Sequence, residues 1–152
     1  MKIPPILPRS SPIFRIGGRL AHQPNVSLLS PLYVDGSYRP RTKEAAVAYY
    51  LTHNKQSYSS QKLPIKASNS TEAEWASIFF GLKAAIDNSE DLLHIQNDCL
   101  SVVRAFLPFS EPPKQNYARH FKVEITKLAG QASWVGISWI PRELNRADQV
   151  LR

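Results

Sequence analysis

The apolar residues of this chain change period several times, and each change marks an element. Residues 31–38 form a β-prone run in which Leu32, Tyr33 and Val34 lead directly to Asp35, Gly36 and Ser37. Residues 39–43 are polar, contain Pro40 and read as a turn. Ala45 to Leu51 predicts a second strand. Residues 57–66 predict a third, with Pro64 tolerable only at an edge or a strand end. Three short strands with close turns predict an antiparallel meander. Residues 67–71 are small and polar, suited to a helix start, and Thr71 with Glu74 fits a capping box. Trp75, Ile78, Phe79, Leu82 and Ile86 then recur at helical spacing, which predicts a helix over 71–87. Residues 91–96 read as a fourth strand and Leu100 to Phe106 as a short helix. A longer helix is expected over 114–129, and a fifth strand over 133–140, stopped by Pro141. A last helix spans Leu144 to Leu151, and it is expected to be short because four residues follow Asp148. The order β-β-β-α-β-α-α-β-α predicts an α/β fold. Its five-stranded mixed sheet has the first three strands antiparallel, the others joined by crossovers, and helices at its flanks.

The 152 residues suffice for one domain with its own core. Residues 1–30 differ from the rest. They hold Pro4, Pro5, Pro8, Pro12 and Pro24, the cations Lys2, Arg9, Arg15 and Arg19, and no acid. The chain therefore divides into a basic, proline-rich N-terminal extension, 1–30, and a folded domain, 31–152. The extension reads as a loosely docked leader or a nucleic-acid arm. An organelle-targeting peptide fits less well, because prolines oppose an amphipathic helix. The net charge of +7 favours a polyanionic partner, nucleic acid ahead of an acidic membrane. The single cysteine, Cys99, excludes a disulfide framework and a cysteine zinc site. No apolar run approaches the roughly 18 residues that span a bilayer. The expectation is a soluble, cytoplasmic protein with no membrane partner.

Four acids then stand out. A mid-strand Asp35 is costly unless it is paired or bound to a metal. Asp98 directly follows the fourth strand, Glu74 lies in the first turn of the main helix, and Asp148 lies in the last. Three of them have ordinary alternatives: Glu74 as the capping-box acid, Asp98 as an N-cap, and Asp148 as a solvated helix residue. The chemistry that uses all four is phosphodiester hydrolysis supported by two Mg²⁺ ions on hard oxygen ligands. Carboxylates so close cannot all ionise without the cations.

The ordered set Asp35-Gly36-Ser37, Ala73-Glu74, Asn97-Asp98 and Asn145-x-Ala147-Asp148 resembles the ribonuclease H family, type 1, over residues 31–152. The stretch from Trp139 to Leu151 resembles the histidine-less branch with a V-P-R-E-x-N-x-x-A-D ending. The resemblance implies that Asp35, Glu74, Asp98 and Asp148 are the catalytic, metal-binding acids. Two Mg²⁺ ions, replaceable by Mn²⁺, would share Asp35. Glu74 is preferred to Glu72 because it belongs to the Ala-Glu pair that precedes the apolar run. Gly36, Ser37, Asn69, Ser70, Thr71, Arg142 and Asn145 would contact nucleic acid. The implied activity is endonucleolytic hydrolysis of the RNA strand of RNA/DNA hybrids, giving 5′-phosphomonoesters, by a monomer. Two departures bear on it: the loop 141–144 has no histidine, and a proline-rich segment, 107–116, replaces a basic protrusion. The alternatives are another nuclease of the same wide fold, and a catalytically degenerate module for nucleic-acid binding or assembly.

Overall fold

The computed structural model describes residues 12–53 and 57–152. Strands β2 (Ser30–Arg39), β3 (Glu44–His53) and β4 (Ser57–Ile65) form the expected antiparallel meander, with Asp35 opposite Ala48 and Ala48 opposite Lys62. After it come α1 (Ser70–Asp87), β5 (Leu92–Asn97), α2 (Leu100–Arg104), α3 (Asn116–Ala129), β6 (Trp134–Trp139) and α4 (Arg146–Leu151). β5 runs parallel to β2, and β6 parallel to β5, so both crossovers form. β4 is an edge strand, which explains how Pro64, with no N–H to donate, is accommodated.

The sheet has six strands rather than the five expected, in the order β1-β6-β5-β2-β3-β4. The additional strand, β1 (Phe14–Gly17), comes from within the stretch set apart as an extension. It pairs antiparallel with β6, Phe14 opposite Ile137 and Arg15 opposite Gly136. The physical reason is the open side of β6, whose unpaired backbone groups β1 satisfies. Gly18 then turns the chain at φ 126°, where an added Cβ would lie 2.5 Å from the Ser133 carbonyl oxygen. The arm and targeting readings concern residues 1–30, of which 1–11 lie outside the described residues.

Alternation along the strands places Leu32, Val34, Leu51, Leu93, Ile95, Val135 and Ile137 in one core with Trp75, Ile78 and Leu82 of α1 and Ile125 and Ala129 of α3. Each fully buried Leu, Ile or Val contributes about 1.5–3 kcal/mol. The helix starts differ from expectation in one respect that matters for the site. Asn69, not Thr71, caps α1, its Oδ1 accepting from Glu72 N at 2.8 Å. The returning acid is Glu72, which accepts from Ser68 N and Oγ. Asn is at least as good an N-cap as Thr, so the helix is capped two residues earlier than expected. Glu74 is left free of capping. The last helix is divided, with a 3₁₀ turn over Arg142–Leu144 before α4. Among the described residues, no helix is long and apolar enough to cross a membrane.

Candidate active site

Strand β2 carries Asp35 and parallel strand β5 leads into Asp98. Tyr33 pairs with Gln96, so two residues further on the two acids come level. The first turn of α1 adds Glu74. Each of the three offers a carboxylate oxygen within 4.8 Å of the other two. The Gly36 N–H holds two of them, donating to Glu74 Oε1 at 2.7 Å and to Asp35 Oδ1 at 3.0 Å. A side chain at 36 would exclude this arrangement, because an added Cβ would lie 2.3 Å from the Ala73 carbonyl oxygen.

Two buried asparagines complete the frame. Asn97 Nδ2 donates to Val34 O at 3.0 Å and to Glu74 Oε1 at 3.4 Å. Its Oδ1 accepts from the N–H of Cys99, the residue before α2, and Asp98 does not cap that helix. Asn145 Nδ2 donates to the same Val34 O at 2.9 Å and to Asp98 Oδ2 at 3.2 Å, while its Oδ1 caps α4 at Ala147 N. Asp148 is not a solvated helix residue. Its carboxylate is mostly covered and pairs with Arg152 at 2.8 Å and Arg142 at 3.6 Å. All four acids line one cleft of about 950 Å³.

The cluster is electrostatically costly as it stands. Burial, with Asp98 next, pushes the Asp35 carboxyl up to about 7. Burial, with Asp35 next, pushes Glu74 up to about 9. Burial also raises Asp98, opposed by its Asn145 hydrogen bond and by Arg142. Both Asp35 and Glu74 thus bind protons more tightly folded than unfolded, where the ordinary values are 3.8 and 4.5. The stability they contribute is full below those values and is lost as pH rises through about 7 and about 9. With a chelator present, the thermal midpoint should therefore fall between about pH 5 and about pH 9, and Glu74→Gln should flatten the upper part of that fall. A midpoint that rises over this range would refute the coupling.

Of the residues expected to meet nucleic acid, Gly36, Ser37, Ser70 and Arg142 line the cleft. Asn69, Thr71 and Asn145 are not among its lining residues. Asn69 is engaged in the α1 cap and Asn145 in the frame, and Thr71 is half-buried in the first turn of α1. Sequence reasoning had Asn97 only as the neighbour of Asp98, with no role of its own, and did not find Arg39, Lys62 and Arg152, which line the cleft. For Asn97 the available signal was an amide at the very end of β5, directly before Asp98. For Lys62 it was the strand alternation that places it beside Ala48.

A family model described as "Reverse transcriptase-like" matches residues 33–151. No curated protein matches the chain. Among solved structures, RNase H1 from the halophilic archaeon Halobacterium salinarum superposes with a TM-score of 0.71 at 24% identity, over 80% of this chain and 92% of that one. The N-terminal RNase H domain of a Mycobacterium tuberculosis protein gives 0.67 at 19% identity, over 80% and 92%. An RNase H1 isolated from compost by a metagenomic approach, in complex with an RNA/DNA hybrid, gives 0.61 at 20% identity, over 80% and 92%. These likenesses establish the ribonuclease H fold. With the family model spanning almost all of the chain from β2 to α4, the chain belongs to the reverse transcriptase-like, ribonuclease H family.

Proposed function

We propose that the protein is an endonuclease that hydrolyses the RNA strand of RNA/DNA hybrids, leaving 5′-phosphate and 3′-hydroxyl ends. The observation that carries this reading is the trio Asp35, Glu74 and Asp98, with carboxylate oxygens within 4.8 Å of one another at the wall of an open cleft. The donor set fits hard divalent cations, because it offers oxygens only and no nitrogen or sulfur. The upward push on Asp35 and Glu74, from burial and from neighbouring carboxylates, is a cost that a positive charge there would relieve. Asp35, Glu74, Asp98 and Asp148 would hold two Mg²⁺ ions, with Mn²⁺ able to replace them. When bound, such ions supply charge neutralisation at a phosphodiester and a lowered pKa for water. The chain's own residues do the rest. Gly36, close against α1, holds Asp35 and Glu74 in place through its N–H, Ser37 and Ser70 present hydroxyls, and Arg142 presents a cation to phosphate. Such contacts read groove shape and the 2′-hydroxyl rather than base sequence.

Support also comes from the fold neighbour solved with a hybrid. A second reading, a module that binds hybrids without cutting them, draws on the two arginines already paired with Asp148. A labelled RNA/DNA hybrid incubated with and without Mg²⁺, beside RNA and DNA duplexes, separates the two. The nuclease cuts only the hybrid, only its RNA strand, and not in EDTA. Salt-dependent binding with no cleavage under any divalent metal would leave the binding module.

A further inference from the structure

The sheet face that carries Asp35 also carries an aromatic stack that the acid cluster does not use. Tyr33 lies two residues before Asp35 and directly opposite Tyr50 in the β2–β3 register, and their rings meet edge-on at 6.1 Å. The Tyr50 ring lies parallel to that of Tyr58 on β4, 4.8 Å away with 9° between planes. The Arg146 guanidinium sits 5.4 Å from the centre of the Tyr50 ring and 5.8 Å from that of Tyr33, and its Nη1 donates to the Tyr50 hydroxyl at 3.5 Å. Packing against neighbouring strands and α4 accounts for Tyr33 and Tyr50, which are half-buried. It does not account for Tyr58, which is 61% exposed. A ring stacked on one face and exposed to that degree turns its other face to solvent.

Alternation along β4 places Tyr58, Ser60 and Lys62 on the same side of the edge strand, and Lys62 lines the acid cleft. Four residues of strand separate Tyr58 from Lys62, about 13 Å. Residues 58–62 contain no acid. Lys62 Nζ donates one hydrogen bond to Leu151 O at 2.9 Å, which leaves the ammonium with further donors. A cation at the cleft and a flat, cation-backed aromatic face beyond it match the alternating phosphate and base of a single strand.

We propose that Tyr58, stacked on Tyr50 and backed by Arg146, is a platform for an unpaired nucleic-acid base where a strand leaves the cleft over β4, with Lys62 contacting a phosphate between. The proposal goes beyond hybrid cleavage, since it needs nucleic acid at the cleft but no hydrolysis. The test is binding by fluorescence anisotropy in EDTA. The probes are a blunt RNA/DNA hybrid, the same hybrid with a 5′ or a 3′ RNA overhang, and the single-stranded RNA alone. For the wild type, one of the overhangs tightens binding by about 5- to 150-fold, the range of one stacked base. Tyr58→Ala removes that gain and weakens single-stranded RNA by a similar factor, leaves the blunt hybrid unchanged, and leaves the thermal midpoint within a few degrees. Tyr58→Phe and Tyr58→Trp keep the gain, and Lys62→Ala lowers the salt dependence of overhang binding. Equal weakening of blunt and overhanging hybrids by Tyr58→Ala, or wild-type affinity indifferent to both overhangs, overturns the platform. The single-stranded arm stands apart from the nuclease reading. Tyr58-dependent RNA binding without hybrid cleavage keeps the platform and sinks the nuclease. Hybrid cleavage with Tyr58-independent binding does the reverse.

Discussion

Asp35→Asn is expected to abolish Mg²⁺-dependent cleavage of an RNA/DNA hybrid, with a loss of about 10³-fold or more, the scale set by removing a charge that organises a metal-assisted site. The substitution leaves the frame in place. Asparagine is the same size, and its Oδ1 still accepts from the Gly36 N–H, which now holds Asp35 at 3.0 Å. What goes is the charge. Asp98→Asn should produce a comparable loss, because Asn145 donates to Asp98 Oδ2 and can still find an acceptor there. Single-turnover cleavage gives the rate, and circular dichroism with hybrid binding in EDTA reports on the fold. Burial raises the Asp35 carboxyl to about 7, so ionising it at higher pH costs stability. The metal-free Asp35→Asn protein should therefore melt above the wild type at about pH 8 while being inactive. Cleavage within tenfold of wild type, from either variant, would sink the assignment of these acids.

The second large effect is expected at Gly36. Valine there should lower the thermal midpoint by about 5–10 °C and remove activity as well. The added Cβ would lie 2.3 Å from Ala73 O and 2.4 Å from Ala73 C, both backbone atoms of α1 that cannot swing aside. The helix must back away from β2, at a cost of about 1–3 kcal/mol or more, and at this chain length about 1 kcal/mol corresponds to roughly 2–4 °C. Because α1 carries Glu74, the same movement withdraws one carboxylate from the cluster. Gly130→Ala is the control. An added Cβ there would lie 3.3 Å from Lys127 O, at ordinary helical φ, and should be nearly neutral. Differential scanning calorimetry of the two variants decides it. Equal midpoints would show that α1 yields more easily than its contact with β2 implies.

Much of this was legible in the sequence where a period or an expensive residue carried the signal. The meander was, because its strands are β-rich and joined by close polar turns. Asp35 was, because an acid in an apolar strand demands a reason. Glu74 was separated from Glu72, and it is Glu74 that lies beside Asp35 and Asp98, although the cap that frees it was misplaced by two residues. Residues 68–71 offer several competent caps, and the sequence does not tell which of them accepts from the first turn, as Asn69 does from Glu72 N. Strand β1 was not legible. Four residues in a proline-rich stretch carry no readable period, and they become a strand only because β6, more than a hundred residues away, has an open side. The asparagine frame was not legible for a related reason. Asn97 and Asn145 matter through a shared acceptor, the Val34 carbonyl, and sequence shows donors but not which distant oxygen they find.

That shared carbonyl separates the shape of the site from its charge. The amides on Val34 O carry no titratable proton and need no cation, so the spacing of the acids is set once the chain has folded. A ligand arriving at the cleft meets acids already held by hydrogen bonds to strands and helices, which lowers the ordering cost of binding. The two properties can also drift apart. Acids can be exchanged one at a time for amides while the receptor keeps its shape, turning a cutter into a reader of the same substrate. Asn145 has no such freedom, because one side chain holds strand β2, the last helix and Asp98 together.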